Sequence, residues 1–222
     1  MHYVFGRQAK CPLVIRTACG AGRGYGPTHS QNLEAWFTHV PGLQVVAPSS
    51  AADAAGLLKT AIRGRNPVLF LEHKMLYGTR ANVAFKEGDQ SPLPFGRARR
   101  LHEGSDVTII GWSWMAHEAA MAAGILAEGG IQADVIDLRT LVPLDARTIA
   151  ESARKTGHVL IVEEAPGTGG FNAEIGFRIF EEAHEYLDAP IRRLTAPDSP
   201  VPASPVLEQA WMPNRATIAK AA

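Results

Sequence analysis

Short apolar runs alternate with helix-forming stretches along most of this 222-residue chain, and that alternation limits the fold more than any other feature. In the first half, Leu13–Thr17, Leu43–Val46 and Val68–Leu71 read as buried strands. Between the last two, Ser50 and Asp53 form an S-x-x-D start, and Ala54, Leu57, Leu58, Ala61 and Ile62 line one apolar stripe. Asn66-Pro67 stops that helix, because the residue before proline is pushed out of the helical region. The second half repeats the pattern. Val107–Gly111, Ala133–Leu138, Val159–Val162 and Ile191–Leu194 read as strands, with helices over 114–128, from the Asp145 cap onward, and over 172–187. A strand–helix–strand order predicts an α/β fold with mostly parallel sheets. Residues 79–96 lack periodicity and read as a linker, giving units at 1–78 and 97–222. After the last strand, four prolines between Pro197 and Pro205 predict an extended segment leading to a short terminal helix. Three strands with one full crossover helix make a thin first sheet, with an edge left open and a face uncovered.

Charge and length exclude several classes. Lys+Arg and Asp+Glu each total 22, so no net charge draws the chain to nucleic acid or to an anionic membrane. The basic opening stretch (Arg7, Lys10, Arg16, Arg23) is too small to change that. No run approaches the roughly 18 apolar residues of a membrane span, and Met1–Arg7 lacks the architecture of a signal peptide. Cys11 and Cys19 flank one strand at about 26 Å, beyond disulfide reach. Reduced cysteines fit a cytoplasmic protein.

The chemistry concentrates in Gly20–Gln31, a glycine-rich loop ending in His29-Ser30-Gln31. A dinucleotide fingerprint fails here. Tyr25 or Pro27 stands where the third glycine is needed, and proline removes an amide donor. His29 can move a proton near neutral pH, although a loop histidine can equally be a surface residue. The first acidic residue in the chain is Glu34, so nothing upstream could partner it. His73 at a strand end is either a site residue or a solvated terminus. Glu163 and Glu164 precede Gly167–Gly170, which reads as turn chemistry because no Lys-Ser/Thr follows. No metal-ligand spacing or nucleophile elbow appears. Glu174, Glu181, Glu182, Glu185 and Asp188 mark either a solvated helix face or an acidic docking surface.

Several ordered blocks together resemble one family: Val14-Ile-Arg16, Gly22-Arg-Gly24, His29-Ser-Gln31, Glu34-Ala-Trp36 and His39–Leu43. Asp53–Leu58, Ala61–Arg63, Asn66-Pro67, Leu71–His73 and Ile136–Asp145 continue the match. The family is that of the β subunits of thiamine-diphosphate-dependent 2-oxoacid dehydrogenase E1 components, of pyruvate, acetoin and branched-chain type. The resemblance covers essentially the whole chain. It implies a pyrimidine-binding domain followed by a transketolase-type C-terminal domain, and an oxidoreductase most often specific for pyruvate. In that family thiamine diphosphate, shared with an α subunit, supports decarboxylation of the 2-oxo acid, and the acyl group passes to a lipoyl arm.

The same resemblance implies that His29 lines the active site, orients the substrate and moves protons. It implies a structural potassium ion held mainly by backbone carbonyls at Leu13, Ala61, Ile62, Gly64 and Asn66, with Gly64 standing where an Asp is common. The implied partners are the α subunit, which holds the diphosphate and Mg²⁺, a second β subunit completing a heterotetramer, and a lipoyl-bearing E2 engaged through the C-terminal domain. The family's β chains begin with a further N-terminal part that has no counterpart here. That part carries the glutamate for the aminopyrimidine ring, so no cofactor-binding residue is assigned in this chain. The rival expectation is a non-catalytic module or fragment that only docks the α subunit or E2.

Overall fold

The computed structural model describes residues 2–80 and 91–222. Its elements follow the order β1 (Val14–Cys19), α1 (Gly26–His29), α2 (Glu34–Thr38), β2 (Gln44–Val46), α3 (Ala51–Arg63) and β3 (Val68–His73). Then come β4 (Arg99–His102), β5 (Val107–Gly111), α4 (Ser113–Glu128), β6 (Ala133–Asp137), β7 (Thr140–Val142), α5 (Ala146–Thr156) and β8 (Val159–Pro166). The chain ends with α6 (Phe171–Ala183), β9 (Arg192–Ala196), α7 (Pro205–Trp211) and α8 (Arg215–Ala221). Single 3₁₀ turns follow β3 (Lys74–Gly78) and α6 (His184–Tyr186).

The strands form two sheets, in the orders β1-β3-β2-β7 and β4-β6-β5-β8-β9. Parallel pairing dominates, as the alternation predicts, and the antiparallel exceptions are β2 with β7 and β4 with β6. Both exceptions depart from the sequence reading. The first sheet has four strands rather than three, because the short β7 crosses over from the second half of the chain to pair with β2. The second has five rather than four. Its edge strand β4, Arg-Arg-Leu-His, carries too much charge to read as a strand and is largely exposed. The open edge of the first sheet is β1, whose four middle residues are exposed, Ile15 to 46%. The terminal region holds two helices rather than one, α8 starting from an Asn214 capping box.

Local chemistry explains the helices. Ser50 Oγ accepts from the Asp53 amide to start α3, and Asp145 Oδ1 accepts from the Thr148 amide to start α5. Helix α4 turns its alanines 119, 122 and 123 inward against β-strand side chains of the second sheet. A separate core of Val46, Leu57, Ala61, Val68 and Phe70 lies between α3 and the first sheet. Of the expected linker, 81–90 lie outside the described residues, and the rest is anchored. The Leu93 amide donates to the Gly56 carbonyl, and Thr60 Oγ1 donates to Leu93 O. Gly56 sits mid-helix because a Cβ there would come within 2.5 Å of Leu93 Cγ.

A polar seam ties the halves together. The buried Asp53 accepts from Arg139 Nη1 at 3.0 Å and from Arg99 Nη1 at 3.2 Å. Ser49 Oγ donates to the buried Asp137, whose pKa burial pushes up to about 7. The acidic run on α6 is partly self-neutralised by exposed contacts of Arg178 with Glu174 and Glu181, of the kind that contribute little to stability. Both cysteines are free, Cys11 exposed and Cys19 buried.

Candidate functional site

Strands β1 and β3 run parallel in register, so Cys19 and His73 end side by side at the same rim of the first sheet. Crevices at the carboxyl ends of parallel strands are where α/β sheets build sites. The glycine loop leaves β1 at this rim. Gly20, Gly22, Gly24 and Gly26 all adopt positive φ, from +61° to +90°. At Gly20 sterics add a second demand, since a Cβ would fall 2.0 Å from His73 Nε2.

The loop closes into α1, one helical turn carrying Pro27 near its start and His29 at its end. Gln31 Nε2 donates back to Pro27 O at 2.8 Å. The triplet then divides. His29 and Gln31 are exposed, while Ser30 points inward with its hydroxyl buried and unpartnered. His29 faces a cleft of about 570 Å³, walled by Ala18, Tyr25, Gln31, Leu33 and Lys74. Lys74 Nζ donates to His29 O, and its pKa is lowered, chiefly by partial burial. An exposed imidazole in such a cleft can exchange protons with a bound molecule.

Beneath this rim lies a buried layer of acids. His73 is 2% exposed and cannot be a solvated strand terminus. The Met75 amide donates to its Nδ1, which places the ring proton on Nε2, bonded at 2.7 Å to Glu164 Oε2. Burial alone would push Glu164 up, but the His73 imidazole and the Ala21 amide outweigh it and hold its pKa below the ordinary range. Glu163 accepts from the amides of Phe171 and Asn172 and from the Asn172 side chain, at the positive end of the α6 dipole. Burial still raises its pKa. Burial, reinforced by the Glu163 charge, raises Glu34 to about 8. Burial likewise drives the Cys19 thiol well up, which makes it a poor nucleophile.

The positions expected for a monovalent cation gather where α3 ends and β1 begins. Leu13 O accepts from the Val68 amide and Ala61 O from the Gly64 amide, each leaving one lone pair. Ile62, Gly64 and Asn66 lie at or just past the end of α3, Ile62 and Asn66 exposed. Among the described residues no three His, Cys, Asp or Glu side chains converge as a metal site. Among the described residues no carboxylate lines the His29 cleft.

Sequence reading singles out His29 but not the residues that hold its loop. In sequence, Glu163 and Glu164 read as the end of a strand beside a turn. In the structure β8 runs on to Pro166, and both acids are buried within it. Glu208, on the penultimate helix α7, accepts from the Gly24 amide across 184 positions, and no local pattern marks it.

Comparison with known proteins agrees with this arrangement. The transketolase pyrimidine binding domain model matches residues 1–80, and the transketolase C-terminal domain model matches residues 96–218. Pyruvate dehydrogenase E1 component subunit beta of Rickettsia felis is 46% identical over 220 residues, covering 99% of this chain and 67% of its own. Acetoin:2,6-dichlorophenolindophenol oxidoreductase subunit beta of Cupriavidus necator is 44% identical over 99% of this chain and 64% of its own. The mitochondrial pyruvate dehydrogenase E1 component subunit beta-2 of Oryza sativa subsp. japonica is 45% identical over 100% of this chain and 59% of its own. The chain thus spans 59 to 67% of the length of these relatives. Among solved structures, a split gene transketolase described as an inactive β4 tetramer superposes with a TM-score of 0.75 at 28% identity, over 96% of this chain and 66% of that one. With both transketolase domains matched and close identity over its whole length, the chain belongs to the transketolase-like family of 2-oxoacid dehydrogenase E1 β subunits.

Proposed function

We propose that this chain is the β-subunit polypeptide of a 2-oxoacid dehydrogenase E1 component acting on pyruvate, and that it works with an α subunit and a second β subunit. The observation that carries the catalytic part is the placement of His29, exposed at the mouth of a cleft on a loop packed at several points. Thiamine diphosphate supplies the electron sink for decarboxylation when it is bound between subunits. This chain's contribution is one wall of that pocket. The His29 imidazole holds or moves a proton, and Gln31 offers a donor and an acceptor beside it. Among the described residues the cleft offers no carboxylate for the cofactor's pyrimidine ring.

The remaining assignments belong to the same proposal. Residues 1–78 serve as the pyrimidine-binding part and 97–222 as the C-terminal domain that engages a lipoyl-bearing E2. The diphosphate and Mg²⁺ are held by the α subunit, and a potassium ion is held by carbonyls at Leu13, Ala61, Ile62, Gly64 and Asn66. A cytoplasmic location fits the two free cysteines, and the balanced charge gives no general attraction to nucleic acid or an anionic membrane.

The test combines the purified chain with an α subunit, thiamine diphosphate, Mg²⁺, pyruvate and a lipoyl domain. His29→Ala should slow acetyl transfer to the lipoyl domain by about 10²-fold or more, as loss of acid–base assistance does. Transfer at the wild-type rate by that variant would refute the assignment. If the unmutated chain binds the α subunit without turnover, it is a docking module.

A further inference from the structure

The loop that carries His29 does not hold itself in place. Gly20 lies under the His73 ring, and Gly22 lies against Met75. The Ala21 amide donates to Glu164 Oε1 at 2.7 Å, and the Gly24 amide donates to Glu208 Oε2 at 2.8 Å. On the other side runs the extended segment before α7. A Cβ at Gly24 would meet the Ala203 carbonyl at 3.4 Å, and one at Gly26 would meet the Ala203 methyl at 3.2 Å. Ala21 also shares a small apolar cluster with Ala196, Val201 and Trp211, and Trp211 Nε1 donates to Ser199 Oγ. The loop is therefore gripped between the end of the first sheet and the last third of the second domain.

The two carboxylates are the unusual part of this grip. Glu208 is 2% exposed, and its second oxygen, Oε1, is buried without a partner. Burying a carboxyl for one backbone amide is expensive, and an apolar residue would fill the same space more cheaply. What the carboxylate supplies in exchange is a directional, charge-assisted acceptor that fixes where the Gly24 amide sits. The bond it makes lies two residues before α1, the turn that presents His29.

We propose that Glu208 and Glu164 are positioning residues for His29. Through the Gly24 and Ala21 amides they set the loop conformation that aims the imidazole into the cleft. They also make segment 197–211 a structural determinant of the site. This inference rests on the reading of His29 as an active-site residue.

The experiment uses the chain assembled with its α subunit, thiamine diphosphate, pyruvate and a lipoyl domain, and it has two readouts. One is amide hydrogen exchange across residues 20–31. The other is the separate measurement of kcat and KM for acetyl transfer. Glu208→Leu removes the acceptor, whereas Glu208→Gln keeps an oxygen for the Gly24 amide. Glu208→Leu should speed exchange at Gly24 and cut kcat by about 10- to 10²-fold, as an ångström-scale misplacement does, with KM nearly unchanged. Glu208→Gln should recover most of both. Glu164→Leu, read in the same way at Ala21, serves if the Glu208→Leu variant does not assemble. Wild-type exchange and kcat in the leucine variant, or equal impairment of the glutamine and leucine variants, would overturn the proposal. Faster exchange with unchanged kcat would also overturn it. Full activity of His29→Ala would instead overturn the reading of the site, and the exchange data would still report whether the carboxylates hold the loop.

Discussion

Replacing Glu34 by glutamine should stabilise the folded chain, and the gain should grow with pH. Glu34 opens α2 at 4% exposure, with Oε1 accepting weakly from Trp112 Nε1 at 3.4 Å and Oε2 unpartnered. Burial, together with the Glu163 and Glu164 charges, raises its pKa from an ordinary 4.5 to about 8. The sign follows directly. Between those values the folded chain keeps the proton while the unfolded chain gives it up. The favourable contribution is therefore complete below pH 4.5 and is lost as pH rises to 8. At 1.36 kcal/mol per pH unit, the loss reaches about 3 kcal/mol by pH 7. Glutamine mimics the protonated acid and cannot ionise, so it escapes this loss. Urea unfolding followed by tryptophan fluorescence at pH 5, 7 and 8.5 measures the difference, with linear extrapolation at each pH. Glu34→Gln should differ from wild type by under about 1 kcal/mol at pH 5 and by about 3 at pH 7. A difference that is flat across this range, or largest at pH 5, would refute the argument.

Gly20→Ala should cost about 2–4 kcal/mol in urea at pH 7, because it combines a positive-φ backbone with a Cβ driven into the buried His73 ring. A loss below about 1 kcal/mol would mean that the loop is free to move away from His73. Arg139→Leu strips Asp53 of one of its two arginine partners and frees the Arg97 and Ala98 carbonyls, which should lower stability by about 2–3 kcal/mol. For a chain of this size that is a fall of roughly 5–10 °C in Tm, and a melt within 2 °C of wild type would count against the seam.

Much of the fold was legible in the strand and helix periods. The strands Val107–Gly111 and Ala133–Asp137 and the capped helices α3 and α5 declare themselves through contiguous apolar runs and side chains that reach only three residues. Strand β4 was not legible, because an edge strand tolerates charge: Arg99 and Arg100, on opposite faces, reach Asp53 and Asp134. Strand β7 was hidden for a different reason. Three residues carry no period, and only pairing with β2 from the other half makes Thr140–Val142 a strand. At the site, the His-Ser-Gln triplet stands out in the sequence, whereas His73 reads equally as a site residue or a solvated strand end.

By itself, the sequence determined the α/β class, the family resemblance and the position of His29, because each of these rests on spacing within a short window. Only the tertiary structure decided what surrounds that histidine. It buried Glu34, Glu163 and Glu164 in one layer, set the His73 ring under Gly20, and brought Glu208 to Gly24 from the far end of the chain. A carboxylate reads in sequence as a solvated charge. For Glu164 and Glu208, becoming a buried acceptor depends on chain segments more than a hundred residues away, and such partners leave no local periodicity to read.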